Sequence, residues 1–528
     1  MDWTAVSARS KIRHVTNIVV RHLTVAGLLV FSLSVAATGV QVLGQPPAGT
    51  ALVLPAPLLK TMAGAPPALA VDGLFVETAQ GRTTLPPELT QPPPPGASSW
   101  TNRATLADGR VVSLSIGRQG DRMTLSLTAQ PATGVIRWGL SIHAARDEYF
   151  TGLMERVVDG PQRASWAPGI TEAMNLRGQK VDLLVKPTLS VYAPFYLSSR
   201  GYSVTVGGTW PGHFDFAATN PERVAIDVEG PSLSMVINTA STPAELVRAH
   251  ALEAGPPFLP PRWLYSPCRW RDEHTQRTTY YAGTSPYAVF WGGDIGGTQE
   301  GLRASIIGVQ RSAVMGYPNW GSDTCGYNQQ LLEQEVCARW LAFSAFTPIM
   351  EVGPTRNVGF WNLPRAPEYD DVLIATWRLY ARLHERLRNY SYAQAVAATK
   401  TGMPIVRPLF LADPDAPQAW SQWWTYLYGP DLLVSPVWQK GQRSQEVYLP
   451  AGSAWRNAWT SDVVQGGRSV TVPAEPHQIP IFVRVGSALE LGDLAREWMD
   501  AQRVARERPD LKALEADVTR WFAARAGK

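Results

Sequence analysis

Tyr287-Ala-Val-Phe-Trp-Gly-Gly-Asp294 and Asn319-Trp-Gly-Ser-Asp323 are two short segments that each combine Trp, Gly and a terminal aspartate. The first reads as a strand over Tyr287 to Trp291 because it is short, apolar and followed by glycines. Thr298 to Met315 lies between the two segments and places apolar residues on one helical stripe. A strand followed by a helix and a second strand is typical of a parallel β/α domain.

The β/α region is too short for a complete barrel. Eight β/α units need about 200 to 250 residues, whereas residues 259–401 provide only about 140. A truncated (β/α)8-type barrel is therefore expected here, with room for about half of its units. Unpaired strand edges and inward-facing apolar side chains would need cover, so we expect an oligomer or a partner to complete the domain.

The regions on either side of this barrel read as β-structure. Residues 100–258 contain short alternating segments such as Val111-Val-Ser-Leu-Ser-Ile116, which predict an antiparallel β-sandwich. Residues 402–490 show similar segments bounded by Gly and Pro, and predict a second sandwich. The fold class is therefore α/β plus β. A charged, helix-prone tail follows over 491–528, and the proline-rich stretch 45–99 is interpreted as a linker or edge.

Two further helices are predicted in the barrel region. Asn328 is expected to cap a helix that runs to about Ala345, and Tyr369 to Ala398 is expected to form a longer one.

Residues 1–44 read as an export signal. Basic residues precede the charge-free run Leu23 to Gly44, which is the order found in secretory signal peptides. The run is also close to the roughly 20 residues that span a bilayer, so an uncleaved membrane anchor remains an alternative, as does a buried helix. Either of the first two alternatives predicts an exported location.

Composition narrows the classes of partner. The net charge of +4 is spread without long basic runs, which gives no reason to expect a nucleic-acid ligand. Three cysteines, Cys268, Cys325 and Cys337, cannot supply a disulfide framework, and an odd number leaves at least one thiol free. No cysteine or histidine pair has the spacing of a zinc site, so neither a metal nor a cofactor is expected. The 20 tryptophans suit either sugar stacking or a core.

Several segments together resemble glycoside hydrolase family 31, the family of α-glucosidases and α-xylosidases. The resemblance rests on the order and spacing of these segments: Tyr149-Phe-Thr-Gly152 with Glu155-Arg156, Asn175-Leu-Arg-Gly178, Val191 to Tyr202, Leu259-Pro-Pro-Arg-Trp263, Trp291-Gly-Gly-Asp294, Trp320 to Gly326, Arg407-Pro-Leu, Gly429 to Pro436 and Tyr448-Leu-Pro450. It implies an amino-terminal sandwich, a (β/α)8 barrel and carboxy-terminal sandwiches. It also implies that the substrate or ligand is a carbohydrate.

The resemblance also implies roles for individual residues. Asp294 corresponds to the general acid/base, and Asp323 to a carboxylate that binds sugar hydroxyls, with Trp291 and Trp320 as walls of the sugar site. Read without the family, Asp294 could instead cap the helix that begins near Thr298, and Asp323 could bond to neighbouring amides. Arg339 and Trp340 on a following helix suit a structural role as well as they suit ligand binding.

The sequence departs from the family pattern in two places. The nucleophile belongs on a barrel strand well before the acid/base, but the chain passes from Trp270-Arg-Asp-Glu-His274 almost directly to Tyr287, and no suitable nucleophile is found. Asp272 and Glu273 are the only carboxylates in this gap. At Met350-Glu-Val-Gly353, Glu351 stands where the family commonly has an arginine and a histidine. It is a candidate sugar ligand, or else the partner of Arg356 or Arg339 in a salt bridge.

Three functions remain open from the sequence. The first is a retaining glycoside hydrolase by descent, acting on α-glucosides or α-xylosides with severely reduced or absent activity. The second is an inactive carbohydrate-binding or scaffold pseudoenzyme. The third is an unstable deletion product. They differ in whether the chain hydrolyses glycosides, binds carbohydrate without hydrolysing it, or fails to fold.

Overall fold

A computed structural model describes most of the chain beyond the amino-terminal segment. The described residues are 51–54, 69–155, 174–183, 191–208, 211–269, 284–293, 295–327, 333–352 and 371–507, together with 516 and 520. The predicted signal or anchor at 1–44 lies outside them. Among the described residues, no helix is both long and apolar enough to cross a membrane.

The amino-terminal half forms two antiparallel sheets of seven strands each. In the first sheet β1, β2, β7, β13, β12 and β9 follow one another, with β3 paired to β2; the second has the order β4, β5, β6, β14, β11, β10 and β8. The strands are β1 Leu52–Leu54, β2 Leu69–Thr78, β3 Gly81–Thr84, β4 Ser99–Thr105, β5 Val111–Gln119, β6 Arg122–Gln130, β7 Val135–His143, β8 Phe150–Met154, β9 Lys180–Leu183, β10 Tyr192–Ser198, β11 Tyr202–Val206, β12 Gly212–Phe216, β13 Arg223–Glu229 and β14 Leu233–Thr239.

One hydrophobic core lies between these sheets. On β13, Val224, Ile226 and Val228 are buried while the residues between them are less so, and β5 repeats the pattern with Val112, Leu114 and Ile116. Residues of both sheets belong to the same buried cluster. Because buried apolar residues alternate along the strands with a period of two, each sheet has one apolar face, and the two apolar faces pack against each other.

The assignment of 45–99 to a linker or edge was wrong for residues 69–78. Leu69–Thr78 forms the ten-residue strand β2, which pairs with β1, β3 and β7 inside the first sheet. Leu69, Val71 and Val76 are buried in the core. The prolines that suggested a linker flank this strand instead of occupying it, so composition averaged over the whole stretch concealed a regular segment.

A four-stranded parallel sheet follows, in the order β15, β18, β17, β16. The strands are β15 Cys268–Arg269, β16 Phe290–Trp291, β17 Trp320–Asp323 and β18 Ile349–Val352. Neighbouring strands run in the same direction, and β15, the first in sequence, pairs with β18, the last. The parallel β/α arrangement predicted from the sequence is therefore present among the described residues.

Long helices accompany these strands: α1 Pro243–Glu253, α2 Gln299–Val314, α3 Gln334–Ser344 and α4 Asp371–Thr401. The prediction for α2 is confirmed, and the Thr298 side chain caps it by accepting from the Gly301 amide. The prediction for α4 is also confirmed. The start of α3 was placed too early, because its first residue is Gln334 and Glu333 occupies the cap position. Asn328 lies outside the described residues.

The carboxy-terminal region returns to β-structure. A six-stranded sheet has the order β19, β20, β21, β26, β23, β24, and β22 pairs with β25. The elements are β19 Val406–Pro408, α5 Pro417–Ser421, β20 Tyr426–Tyr428, β21 Leu432–Val434, β22 Ser444–Leu449, β23 Ala454–Asn457, β24 Val463–Gln465, β25 Arg468–Pro473, β26 Ile481–Arg484 and α6 Leu494–Arg506. Helix α6 belongs to the predicted helical tail and packs on α4, where Glu497 pairs with Arg386 at 2.9 Å.

A buried carboxylate connects the amino-terminal sheets to the parallel sheet. Glu155, directly after β8, accepts a hydrogen bond from Trp320 Nε1 at 2.7 Å and one from Ser312 Oγ at 3.2 Å. All three side chains are buried. This contact joins β8, β17 and α2 through hydrogen bonds between buried groups, whose loss would leave two donors unpaired in the interior.

A disulfide fastens the segment after β17 to α3. Cys325 and Cys337 are bonded, with their Cα atoms 4.6 Å apart. This bond could not be predicted from the sequence, because the pairing of two cysteines depends on a fold that spacing alone does not reveal. Cys268 is the third cysteine.

Replacing Glu155 with leucine should destabilise the parallel sheet. Two buried donors, on Trp320 and Ser312, lose their acceptor, and each unpaired buried donor costs about 1 to 3 kcal/mol. The urea midpoint followed by tryptophan fluorescence should fall. Glu88→Leu at an exposed site is the control and should change stability by at most about 0.5 kcal/mol. Equal midpoints for the two variants would contradict the role given to Glu155.

Reducing the Cys325–Cys337 bond should lower the thermal midpoint. Closing a loop of this length stabilises a protein by about 2 to 4 kcal/mol, chiefly through the unfolded chain. Non-reducing peptide mapping should recover the two cysteines in one linked peptide. Cys337→Ser should melt like the reduced protein, and added reductant should shift it no further. A melting curve unaffected by reductant in the wild type would count against the bond.

Candidate functional site

Asp323 is the last residue of β17 and lies on the opposite face of the sheet from Trp320. Successive side chains of a strand point to opposite faces, so Gly321 and Asp323 share one face while Trp320 and Ser322 share the other. The Trp320 and Ser322 face is turned toward the helices, since Ser322 Oγ accepts from Trp340 Nε1 of α3 at 3.0 Å. Asp323 therefore occupies the face that corresponds to the inside of a barrel.

Glu351 lies directly beside Asp323 on the neighbouring strand. The parallel register pairs Asp323 of β17 with Glu351 of β18, so the two carboxyl groups leave adjacent strands on the same face. Strands in a sheet are about 4.8 Å apart, which brings two like charges close together. Both side chains sit at the carboxyl ends of parallel strands, where active sites of β/α barrels are built.

The pair is enclosed, which changes the protonation of Glu351. Burial raises the pKa of the Glu351 carboxyl well above its ordinary value, and the adjacent Asp323 carboxylate raises it further. Glu351 Oε1 is inaccessible to solvent and makes no hydrogen bond within the described part of the chain. The raised pKa favours the protonated form of Glu351 beside Asp323.

Trp291 joins Asp323 from the other neighbouring strand. Its indole Nε1 donates to Asp323 Oδ2 at 3.0 Å. The register pairs Trp291 with Gly321, so the indole belongs to the same face as the carboxylates. The structure therefore brings together three of the predicted site residues, Trp291, Asp323 and Glu351, from three consecutive strands of the sheet.

Trp320, predicted as a second wall of the sugar site, is placed elsewhere. It is buried, and its indole donates to Glu155 on the helix-facing side of the sheet. A residue three positions before Asp323 on a strand must point to the opposite face. Trp320 therefore contributes to packing beneath the site and does not line the face that carries the carboxylates.

Arg339 and Trp340 also have structural contacts. Arg339 donates to Glu335 Oε1 at 2.8 Å and to the backbone oxygen of Gln442, while Trp340 donates to Ser322. Arg339 is thus committed to Glu335, and a salt bridge with Glu351 is not among the ion pairs of the described residues. The other suggested partner of Glu351, Arg356, lies outside them.

The predicted acid/base Asp294 lies outside the described residues, as do Asp272 and Glu273. The residues that flank Asp294 are described. Gly293 has φ of +76°, and the Tyr327 amide donates to the Ile295 oxygen at 2.8 Å. A Cβ atom on Gly326 would lie 2.3 Å from the Gly297 Cα, so this position requires glycine. The segments that follow β16 and β17 are therefore packed directly against each other.

Two features of the site were not predicted from the sequence. Glu155 was part of a quoted motif but received no role, because its partners lie more than 150 positions away. The side of the sheet on which Trp320 lies could have been predicted from the two-residue period of a strand.

Within the described residues, no group of three or more His, Cys, Asp or Glu side chains is arranged to hold a metal ion.

The raised pKa of Glu351 makes the stability of the protein depend on pH. The folded state retains a proton that the unfolded chain releases above about pH 4.3, so stability should fall as pH rises toward the folded-state pKa. Glu351→Gln keeps the shape without the charge. We expect this variant to be more stable than the wild type, with a difference that grows from about pH 5 upward. The thermal unfolding midpoints of the two proteins from about pH 5 upward measure this difference.

The exposed Glu490→Gln is a matched control and should follow the wild-type pH profile. A Glu351→Gln profile parallel to that of the wild type at every pH would contradict the raised pKa of Glu351.

Two segments of the chain match profiles of one family. Residues 274–394 match the "Glycosyl hydrolases family 31 TIM-barrel domain", and residues 402–489 match the "Glycosyl hydrolase family 31 C-terminal domain". The first segment contains β16, β17 and β18, which carry the site, and the second contains the carboxy-terminal sheets.

Relatives in sequence carry glycosidase names. A 1,3-alpha-isomaltosidase of Kribbella flavida is 32% identical over 40% of this chain and 30% of its own length. An alpha-xylosidase of Saccharolobus solfataricus is 34% identical over 39% and 28%, and a sulfoquinovosidase of Agrobacterium fabrum is 32% identical over 38% and 31%. In each case the match covers less than a third of the relative.

Solved structures share the fold at low sequence identity. A family 31 sulfoquinovosidase from E. rectale aligns with a TM-score of 0.63 at 14% identity, over 82% of this chain and 96% of the other. A family 31 alpha-xylosidase from a soil metagenome aligns with a TM-score of 0.58 at 16% identity, over 82% and 97%. The resemblance drawn from the sequence is confirmed, because segments 274–394 and 402–489 match the barrel and carboxy-terminal domain profiles of glycoside hydrolase family 31.

Proposed function

We propose that this chain is a glycoside hydrolase by descent that binds neutral α-glucosides or α-xylosides and hydrolyses them very slowly or not at all. The observation that carries the proposal is the group formed by Trp291, Asp323 and Glu351, which offers sugar contacts without a nucleophile. Export from the cytoplasm belongs to the same proposal, because basic residues precede the apolar run 23–44.

The binding half of the proposal rests on the chemistry of the three side chains. Asp323 accepts hydrogen bonds from sugar hydroxyls, and a neutral Glu351 beside it both donates and accepts. The Trp291 indole bonds to Asp323, which fixes the carboxylate, and its ring offers an apolar surface on the same face. A polyhydroxylated ring presents donors, acceptors and an apolar face in matching positions.

The charge of Asp323 favours a neutral sugar. Its carboxylate repels a sulfonate or carboxylate substituent, and among the described residues no cation contributes to the pKa shift of the neighbouring Glu351. Some relatives of the chain are named sulfoquinovosidases, after a sulfonated sugar. The Asp323 and Glu351 arrangement supports glucosides or xylosides over such a ligand.

The loss of hydrolysis rests on a missing carboxylate. Retaining glycosidases hold a nucleophile and an acid/base about 5 to 5.5 Å apart. Asp294 matches the acid/base of the family, but the sequence between Trp270 and Tyr287 leaves no strand for the nucleophile. Because a positioned acid alone supplies only about 10²- to 10⁴-fold of rate, the loss of its partner removes most of the catalysis.

The strand pairing supports a barrel that has lost an internal part. In a closed eight-stranded ring the first strand lies beside the last, and β15 pairs with β18 in this way. The four described strands would then be the first and the last three of the ring. The missing strands fall between β15 and β16, where the sequence is too short to contain them.

Binding and turnover measured on one sample test the proposal. Titration calorimetry with methyl α-glucoside and methyl α-xyloside should detect binding, and Asp323→Asn should weaken it at least about tenfold, or 1.4 kcal/mol. Aryl α-glucoside and aryl α-xyloside should show turnover no faster than in Asp294→Asn. Methyl α-sulfoquinovoside should bind more weakly than the glucoside, and Glu490→Gln should bind like the wild type.

Two results would overturn parts of the proposal. Wild-type turnover that Asp294→Asn abolishes would establish an active hydrolase and remove the claim of lost catalysis. Failure of every glycoside to bind to a folded sample would remove the sugar-binding claim.

A further inference from the structure

The turn that follows β17 has a backbone conformation that its residues do not favour. It begins at Asp323, because the Gly326 amide donates to the Asp323 oxygen at 2.9 Å. Thr324 and Cys325 are the two central residues, and Cys325 has φ of +72°. A central turn residue with positive φ is normally glycine or asparagine, since a Cβ atom makes the left-handed region costly. The backbone at Cys325 is therefore strained, and contacts outside the turn must hold it.

Helix α3 holds the end of β17 from the side away from the candidate site. Its Trp340 donates to Ser322 Oγ at 3.0 Å, and Thr324 Oγ1 donates to its Ser344 Oγ at 2.9 Å. Ser322 and Thr324 are the two neighbours of Asp323 in the chain. Because side chains alternate along a strand, the helix binds both neighbours while the Asp323 side chain faces the site.

The disulfide is the covalent part of this connection. Cys325 is bonded to Cys337 of α3, and both side chains are buried. A disulfide requires its two Cα atoms to lie about 4.4 to 6.8 Å apart. A change of φ that carries Cys325 away from the helix is therefore excluded while the bond exists. The bond keeps a non-glycine residue in the left-handed conformation.

The same turn fixes the segment that follows β16. A Cβ atom on Gly326 would lie 2.3 Å from the Gly297 Cα, and the Tyr327 amide donates to the Ile295 oxygen at 2.8 Å. This segment directly follows Asp294, which corresponds to the acid/base of the family. A displaced turn would therefore move the backbone next to two of the predicted site residues.

We infer that Cys325 and Cys337 are positioning residues for the sugar site, because their bond holds the left-handed turn that begins at Asp323. The affinity for a glycoside then depends on this bond. The inference takes its ligand from the proposed function, but the conformation of the turn can be followed without a ligand. Glycine at position 325 adopts the same conformation without a bond, since it has no Cβ atom. Substitution at this position therefore separates the bond from the conformation that it holds.

Three variants of the full chain that all lack the bond test the inference. Cys325→Ala and Cys337→Ser leave a side chain at the left-handed position without the bond that holds it. Calorimetry should show their affinity for methyl α-glucoside lowered at least about tenfold, or 1.4 kcal/mol. Cys325→Gly should bind within about twofold of the wild type, because glycine keeps the turn. Its thermal midpoint should nevertheless fall with the loss of the bond.

Hydrogen exchange of the same samples follows the turn without a ligand. The Gly326 amide, which donates to the Asp323 oxygen, should exchange slowly in the wild type and in Cys325→Gly. In Cys325→Ala and Cys337→Ser it should exchange at least about tenfold faster, because the turn opens locally. If no glycoside binds to the wild type, the proposed function fails, while these exchange rates still decide whether the bond holds the turn.

Ser461 offers a matched control at another left-handed position. It is exposed, has φ of +67° and lies between β23 and β24 of the carboxy-terminal sheet. Ser461→Gly and Ser461→Ala repeat the two substitutions made at Cys325 and should leave the affinity for methyl α-glucoside unchanged. All affinities are measured at a temperature where every variant is folded. If Cys325→Ala fails to fold, Cys337→Ser replaces it in the comparison with Cys325→Gly.

Any of three results would overturn the inference. The first is an equal affinity of Cys325→Gly and Cys325→Ala, since both lack the bond and differ only in how readily they adopt the turn. The second is a Gly326 amide that exchanges in Cys337→Ser as slowly as in the wild type. The third is a loss of affinity in the Ser461 variants as large as that in Cys325→Ala.

Discussion

The pairing of β17 with β18 is the constraint on which the site depends. Its parallel register sets Asp323 beside Glu351 and decides which residues face the helices. The same sheet fixes Trp291 through β16 and receives β15 at its other side. The placement of all three site residues therefore follows from the backbone pairing of β16, β17 and β18.

The amino-terminal sheets contribute to this arrangement through Glu155, on the helix-facing side of the parallel sheet. Glu155 receives the Trp320 indole, and Trp320 is anchored on the face opposite to Asp323. A buried carboxyl group with two donors holds its partners in place, because moving either donor would leave it unpaired in the interior. The amino-terminal half therefore acts on the site indirectly, by fixing the strand that presents Asp323.

The sequence predicted those features that are local in the chain. Helix α2 was recognisable from one apolar stripe and the capping residue Thr298, and alternation within 111–116 identified a strand of the second sheet. Failures came where distant residues decide the outcome. The Cys325–Cys337 bond and the Glu155 contacts both require the fold to bring partners together. Strand β2 was missed because prolines on both sides dominated the composition of its region.

In the candidate site too, local features were predicted from the sequence and features that depend on distant residues were not. Asp323 and Trp291 were named from motifs, and the structure joins them by a hydrogen bond. Trp320 was named from the same motif but faces away, which the period of a strand already implied. The raised pKa of Glu351 could not be predicted from the sequence, since it arises from burial and from the register with Asp323.

The Asp323 and Glu351 pair and a retaining mechanism make different demands on the fold. A retaining mechanism needs two carboxyl groups held about 5 to 5.5 Å apart on either side of the scissile bond. The Asp323 and Glu351 register needs only the pairing of two neighbouring strands, β17 and β18. Under the proposed function, loss of the strand with the nucleophile would therefore remove the chemistry and leave this register intact.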